Sequence, residues 1–372
     1  MRNRFLLGWS CPHVLELSEA PMSHRNDATS DREQKLARIH ELLVARDAPA
    51  VHLTSTAALA WLLDGPRPAV PLGGAAVFSA TVTRGRRVIV TALANEVERL
   101  DAEEIAGVEW RTIPWHGSLA AAPVDALHET DLAPELRAAR AALLPVETER
   151  YRALGADTAR AVSRVLQDAR PSWTERDLAG RLARAAYEIG AEPAVLLAAG
   201  EQRGSVQHPI PTDATLGRRA MAVVTMVRHG LHASMTRWVE FAPTGEPNDV
   251  EARLRAVEAD VLAATRPGAD LDGLFAEIPR AYARHGFGDD AWTRHHQGGA
   301  TGYAGRDPKA FPGIGGRVAE AQAFAWNPWV PGAKLEDTVL ATSAGIELLT
   351  HDPDWPSTTV RGLERPLPLA HH

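Results

Sequence analysis

The sequence predicts a mixed α/β protein built from two layered units, and three observations support this fold class. The chain has 372 residues, which is more than one domain usually contains. Segments with strand-like composition alternate with segments whose apolar residues recur at helical spacing. In the second half of the chain the order helix, helix, strands occurs twice, which indicates a duplication at the level of shape. We therefore expect an α/β (α+β) fold in which helices cover sheets.

The first unit is predicted over residues 32–143, after a polar extension over residues 1–31 that we expect to be flexible. A helix is expected from Asp31 onward, because Leu36, Ile39 and Leu43 lie on one stripe. Strand-like and helical segments then alternate, with strands at 50–54, 75–82, 87–91 and 108–113 and helices at 56–63 and 95–100. This alternation predicts a layered domain that ends near residue 143.

The second unit is predicted over residues 144–372 and begins with two helices. The first covers 147–169 and stops before Pro171. Thr174 and Asp177 have the spacing of a capping box at the start of the second helix. Strands and two further helices are expected after it, at 194–199, 221–227, 249–264 and 271–285.

Composition narrows the class of partner and the location. The net charge of −7 and the pI near 6.1 argue against a nucleic-acid partner. No apolar run approaches the length of a membrane span, so no membrane partner is expected. The apolar patch near the start is too short for a signal peptide, which predicts a cytoplasmic protein. Cys11 is the single cysteine, so internal disulfides and cysteine-rich metal sites are excluded.

The stretch 292–337 is the predicted location of a functional site. It contains two adjacent histidines, short glycine runs, a Trp-Asn-Pro-Trp block and a Glu-Asp pair that enters an apolar strand. Polar groups on loops beside a rigid sheet often carry out chemistry. The alternative is a twisted β-hairpin with glycine bulges and no site.

Three motifs carry a resemblance to a known superfamily. They are GLHASMTR at 230–237, HHQGGATGYAGRD at 295–307 and KLEDTVLATSAGIELLT at 334–350. Together they resemble the creatinase, aminopeptidase P, prolidase and methionine aminopeptidase superfamily over about residues 32–352. The resemblance implies an N-terminal layered α/β/α domain of the creatinase and prolidase type, a C-terminal pita-bread fold and a homodimer.

The resemblance also implies where metal ligands should stand. Peptidases of the superfamily hold two metal ions with two Asp, one His and two Glu. The corresponding positions here are Val223, Ser234, Gly299 and Asn327, and the last Glu is retained as Glu336. One carboxylate and one amide do not hold two such ions. We therefore predict that the second unit binds neither a metal ion nor another cofactor.

The same comparison selects the candidate site residues. His208 matches the substrate-side histidine that serves as the proton shuttle in the metal-free creatinase branch, and His295 matches a histidine at the edge of the site. Glu336 would orient and stabilise a charged imidazole. The predicted catalytic residues are therefore His208, His295 and Glu336. The predicted substrate-binding residues are Arg237, His296, Asn327, Trp326, Arg306 and Ser234. Two structural alternatives stay open: His208 as a surface histidine, and Arg237 as an ion-pair partner of Asp337 or Glu336.

These residues predict a metal-independent, creatinase-like hydrolase that cleaves a C–N bond of a small polar or amino-acid-derived molecule. Three alternatives remain on the sequence alone. The first is a non-catalytic pita-bread domain that acts as a binding or scaffold module. The second is a metallopeptidase that cleaves Xaa-Pro bonds. The third is a lyase or cyclase that uses the same acid/base histidine.

Overall fold

The computed structural model describes residues 24–70, 72–242 and 249–371. Most of the extension predicted over residues 1–31 therefore lies outside the described residues. Helix α1 (His24–Ala45) begins at His24 rather than at Asp31, so the last part of that extension is helical. The apolar stripe predicted for this helix is buried at Leu36, Ile39 and Leu43.

One five-stranded sheet organises the first domain. In chain order, the elements after α1 are β1 (Ala50–Leu53), α2 (Thr56–Leu62), β2 (Phe78–Thr83), β3 (Val88–Leu93), α3 (Val97–Arg99), a π-helical turn (Leu100–Glu104), β4 (Glu109–Ile113), β5 (Ala126–His128) and α4 (Ala133–Ala141). The strand order is β4-β3-β2-β1-β5. The sequence did not predict β5 and α4. A strand of three residues such as β5 is too short to show a period of two.

The first half of the second domain joins two helices to a hairpin. Its elements are α5 (Pro145–Gln167), α6 (Glu175–Glu188), β6 (Glu192–Ala199), β7 (Arg219–Arg228) and β8 (Leu231–Glu240). The predicted capping box at α6 is present, because the Thr174 side chain accepts from the Asp177 N–H and Asp177 bonds the Thr174 N–H. His229 and Gly230 both have positive φ between β7 and β8, which allows a tight hairpin turn.

The second half repeats this order. Helices α7 (Asp249–Ala264) and α8 (Leu271–Arg284) precede β9 (Gly298–Thr301), β10 (Gln322–Trp326), β11 (Trp329–Val330), β12 (Ala333–Lys334), β13 (Asp337–Thr342), β14 (Gly345–Leu348), β15 (Ser357–Val360), β16 (Leu363–Pro366) and β17 (Leu369–Ala370). The two main sheets are ordered β17-β8-β7-β6 and β14-β13-β10-β9. The sequence did not predict the short strands that follow β14.

The two halves meet where β8 passes the start of β13. The Thr236 N–H donates to the Glu336 carbonyl over 2.9 Å, and the Ser234 N–H donates to Thr338 Oγ1 over 2.7 Å. Two apolar clusters lie under the sheets: one contains Leu154, Leu178 and Val224 and extends into the first domain and to Leu340, and the other contains Leu254, Ile278 and Phe324. The polar residues of the predicted site lie near the seam between the two halves.

Candidate active site

A fixed loop between β6 and β7 carries His208. The buried Glu175 carboxylate, in the first turn of α6, accepts from the backbone N–H of Gly200 and of Thr212, each over 2.9 Å. The carbonyl of Pro209 also accepts from the Ala198 N–H of β6 over 3.2 Å. The loop backbone is thus fixed on both sides of His208, while the His208 side chain remains exposed.

The structure brings His208 together with the two adjacent histidines that precede β9. The ring centroid of His208 lies 5.0 Å from that of His295 and 5.6 Å from that of His296. The rings of His295 and His296 stack with centroids 4.5 Å apart. His295 is buried and His296 is half-buried, so the cluster runs from the protein interior to the surface. We call these three residues the histidine cluster.

Two oppositely charged residues on the β12–β13 segment face this cluster. Lys334 is almost fully buried, yet its ammonium group forms no ion pair with any carboxylate of the described residues. Glu336 is buried as well, and its Oε1 accepts from Arg306 Nη2 over 2.5 Å. Glu336 therefore pairs with Arg306 and makes no hydrogen bond to His208; its carboxylate acts on that ring through space.

Burial and nearby cations keep the histidine cluster neutral. Loss of hydration lowers the pKa of His295 to about 3 and that of His296 to about 3. Lys334 adds to this effect at His295, and Arg306 adds to it at His296. The pKa of His208 is also lowered, first by burial and then by Lys334, against an opposing effect of Glu336. At neutral pH all three rings are therefore unprotonated, and each keeps a nitrogen lone pair.

Several buried polar atoms at this site have no protein partner among the described residues. They are His295 Nε2, His296 Nδ1, Arg306 Nε, Asn327 Oδ1 and Trp329 Nε1. Buried polar atoms are normally satisfied, and an unsatisfied group requires an explanation such as a ligand. Their concentration around the histidine cluster indicates a place where a polar molecule binds.

Three of the predicted substrate-binding residues are engaged elsewhere. Arg237 is buried and donates to Asp337 Oδ1 over 2.8 Å, which is the structural alternative that the sequence left open. The indole of Trp326 is buried and donates to Thr265 Oγ1 over 3.0 Å. The hydroxyl of Ser234 bonds Thr225 Oγ1 over 2.9 Å. The polar atoms of these side chains therefore already have partners within the protein.

The positions implied to hold the two metal ions do not fit that role. In the β7–β8 hairpin Ser234 lies opposite Thr225, and Val223 lies opposite Thr236. Hydroxyl and apolar side chains therefore occupy this part of the hairpin. A Cβ atom at Gly299 would lie 2.6 Å from the Pro308 carbonyl oxygen and from the Ala310 nitrogen. The loop at 308–310 therefore occupies the space that a histidine at position 299 would need. Hydroxyls, an apolar residue and a filled cavity do not hold two divalent ions.

The sequence prediction missed three residues that contribute to the site. Lys334 and Lys309 supply positive charge to the histidine cluster, and Thr225 pairs with Ser234. Lys334 stands two residues before Glu336 in a two-residue strand, and that position is the signal that could have identified it. Lys309 and Thr225 follow from the loop path and the hairpin register, which have no signal in the sequence.

Comparisons with solved structures identify the fold. A dipeptidase PepE from Mycobacterium ulcerans superposes with a TM-score of 0.70 at 18% identity, covering 87% of this chain and 97% of that chain. A prolidase from Pyrococcus horikoshii OT3 gives 0.69 at 15% identity, with 86% and 98% covered. An X-Pro aminopeptidase from Thermotoga maritima MSB8 gives 0.68 at 16% identity, with 86% and 98% covered. These likenesses confirm the α/β fold class and the pita-bread architecture.

Two further findings concern curated relatives and membrane-spanning helices. No curated protein matches the chain by sequence. Within the described residues no helix combines the length and the apolar character that crossing a membrane requires.

Sequence comparison with family models assigns the chain to a family. The model of metallopeptidase family M24 matches residues 149–343, which include the histidine cluster, Lys334 and Glu336. The matched region covers more than half of the chain and contains the seam between the two halves of the second domain. Membership supports a peptidase-like hydrolase. The protein belongs to metallopeptidase family M24.

Proposed function

We propose that the protein is a hydrolase that cleaves a C–N bond of a small anionic, amino-acid-derived molecule without metal ions. The observation that carries this proposal is the histidine cluster, which lies beside a buried, unpaired ammonium group and several unsatisfied polar atoms. Membership of a hydrolase family supports the reaction type. The replaced ligand positions support a route that does not use the two metal ions of the family.

His208 has the properties that a proton carrier needs. Its lowered pKa leaves the ring neutral at pH 7, so one ring nitrogen can take a proton from an attacking water. The hydroxide then forms a bond to the carbon of the scissile C–N group. The imidazolium returns the proton to the departing nitrogen, and Glu336 stabilises the transient positive charge through space. Because His208 is exposed, substrate and water reach it from solvent.

Lys334 provides the preference for an anion. Its pKa is lowered mainly by burial, and Glu336 opposes that effect. A buried ammonium group without an ion-pair partner is costly unless a ligand neutralises it. A carboxylate or similar anionic group on the substrate would supply that partner, and this orients the scissile bond toward the histidine cluster.

The test is hydrolysis by EDTA-treated protein of a panel of N-acyl, N-carbamoyl and N-amidino amino acids, with the released amine measured by mass spectrometry. We expect turnover of an anionic member without added metal. His208→Ala should lower kcat by about 100-fold, the usual scale for a lost proton carrier. His116→Ala is the matched control, because His116 is an exposed histidine of the first domain.

Lys334→Met separates binding from chemistry in the same assay. We expect KM to rise by about tenfold or more for an anionic substrate and to change little for its neutral amide, because the variant removes the charge partner alone. An equal change of KM for both substrates would contradict the role given to Lys334. Turnover that survives His208→Ala would contradict the acid/base assignment.

A metal-dependent Xaa-Pro peptidase is the second candidate function. The fold likeness to prolidases and to an X-Pro aminopeptidase favours it. If the protein is such a peptidase, EDTA-treated protein should cleave Xaa-Pro dipeptides only after manganese or cobalt is added. The same panel therefore includes these dipeptides with and without added metal, and cleavage that depends on metal would favour this candidate over the first.

A further inference from the structure

The histidine cluster also has the geometry of a binding site for a single metal ion. One ring nitrogen from each of His208, His295 and His296 lies within 4.8 Å of the other two. Within the described residues this is the one group of three such side chains that comes close enough to hold an ion. None of the three stands at a position to which the family resemblance assigns a metal ligand.

The hydrogen bonding of His295 fixes which nitrogen is free. His295 Nδ1 lies 2.5 Å from the carbonyl oxygen of His296, and a carbonyl can only accept, so Nδ1 carries the hydrogen. The lone pair is therefore on Nε2, which is buried and has no partner among the described residues. A backbone carbonyl that orients the second nitrogen is the usual arrangement behind a metal-binding imidazole. His296 Nδ1 is likewise buried without a partner.

The surrounding charges act in two directions. Lys334, Arg306 and Lys309 place positive charge near the rings. The same cations weaken the attraction for a positive ion, and the buried Glu336 carboxylate offsets part of this repulsion. The charge balance therefore suits a metal that prefers neutral nitrogen ligands over one that requires carboxylates.

We propose that His208, His295 and His296 bind one divalent transition-metal ion of the zinc class, and that this ion blocks proton transfer by His208. Tetrahedral zinc places its nitrogen ligands about 3.4 Å apart, so the largest separation must close by at most ~1.4 Å. The side chain of His208 is exposed, so its ring can rotate toward the other two. The ion uses the lone pair that His208 needs as a base, so binding inhibits the enzyme. The inhibition rests on the proposed hydrolase, whereas the binding does not.

Binding is tested directly on metal-free protein without a polyhistidine tag. Calorimetric titration with Zn²⁺ should show one equivalent, and Co²⁺ should give the visible absorption of a tetrahedral nitrogen site. His208→Ala, His295→Ala and His296→Ala should each weaken binding by about 100-fold or more, since even loss of a group behind a ligand costs 10- to 100-fold. His116→Ala is the matched control, and far-UV circular dichroism checks that each variant is folded.

The outcomes separate this proposal from the proposed function. No heat and no absorption at millimolar metal, or binding that survives loss of two cluster histidines, would overturn the metal site. If a hydrolysed substrate is found, zinc should lower turnover and EDTA should restore it. Activation by zinc would overturn the inhibitory role. Binding without any hydrolysis would leave the metal site standing and count against the hydrolase alone.

Discussion

At the scale of single residues, a buried histidine stacked on a half-buried one is the unusual chemical feature of this protein. His295 and His296 stack on each other, and burial lowers the pKa of each to about 3. Adjacent histidines in the sequence suggested a site, but their protonation depends first on burial and then on Lys334, Arg306 and Lys309, which lie ten or more residues away along the chain. The chemistry of the pair is thus a property of its surroundings.

These two histidines predict how stability changes with pH. Their pKa in the folded protein, about 3, lies below the 6.5 of an unperturbed histidine. Between those values the unfolded chain binds more protons, so acid favours unfolding. The stability contribution is complete above pH 6.5 and falls as the pH decreases toward 3. Urea unfolding between pH 7.5 and 4.5 should show this loss, and His295→Gln should reduce its slope. An unchanged slope in the variant would contradict the predicted protonation states.

At the scale of elements, the start of β9 and the loop that follows it determine what the site can hold. Gly299, near the start of β9, has φ +141°, and Gly302, directly after β9, has φ +150°. Both conformations favour glycine. Gly299 also pairs with Lys309 as an isolated bridge. The loop lies directly against the strand there, so the backbone path leaves no space for a histidine side chain at position 299.

Two glycine substitutions separate backbone strain from close contact. Gly302→Ala meets open space, so we expect it to cost about 1–3 kcal/mol of unfolding free energy from φ strain alone. Gly299→Ala has the same strain and also contacts Pro308 and Ala310, so it should cost roughly 1–3 kcal/mol more. Chemical denaturation of both variants measures the difference. Equal losses would show that the loop at 308–310 can move away.

At the scale of the whole molecule, two similar halves enclose the site, and the resemblance implies that most of the family's metal-ligand positions there carry other residues. A buried ion pair joins the halves, because Asp337 accepts from Arg237 over 2.8 Å, and Arg365 of the second half also donates to Asp337 over 2.8 Å. The positions on β7, β8 and β9 to which the resemblance assigns metal ligands are Val223, Ser234 and Gly299, which supply neither carboxylate nor imidazole groups.

Metal content, measured by elemental analysis, tests this assignment for the intact protein. The sequence predicts no bound metal ion, so one or more equivalents of manganese, cobalt or zinc after dialysis would contradict that prediction. A two-ion site is a narrower claim: Ser234, Gly299 and Asn327 cannot complete one, so we expect fewer than two equivalents, and a single equivalent would fit the histidine cluster. Glu336→Gln should leave the metal content unchanged, since this carboxylate pairs with Arg306. Two equivalents that fall to none in Glu336→Gln would restore the metallopeptidase interpretation.

The quaternary state and the cytoplasmic location remain predictions. The family resemblance implies a homodimer, and size-exclusion chromatography with light scattering at micromolar concentration should give about twice the 40.1 kDa chain mass. A mass that stays at one chain across the concentration range would remove this prediction.

The sequence by itself determined the fold class, the family and most of the element order, because these depend on local periodicity and on short motifs. It also selected His208, His295 and Glu336, and the three cluster histidines were all among the residues it named. Only the tertiary structure showed that Arg237 and Trp326 already have partners, that Glu336 pairs with Arg306, and that Thr225 faces Ser234. The tertiary structure also showed that Lys334 lies near the histidine cluster and lowers the pKa of His208 and His295. Those contacts join segments far apart in the chain, and charge, burial and hydrogen bonding act across space, so no local pattern encodes them.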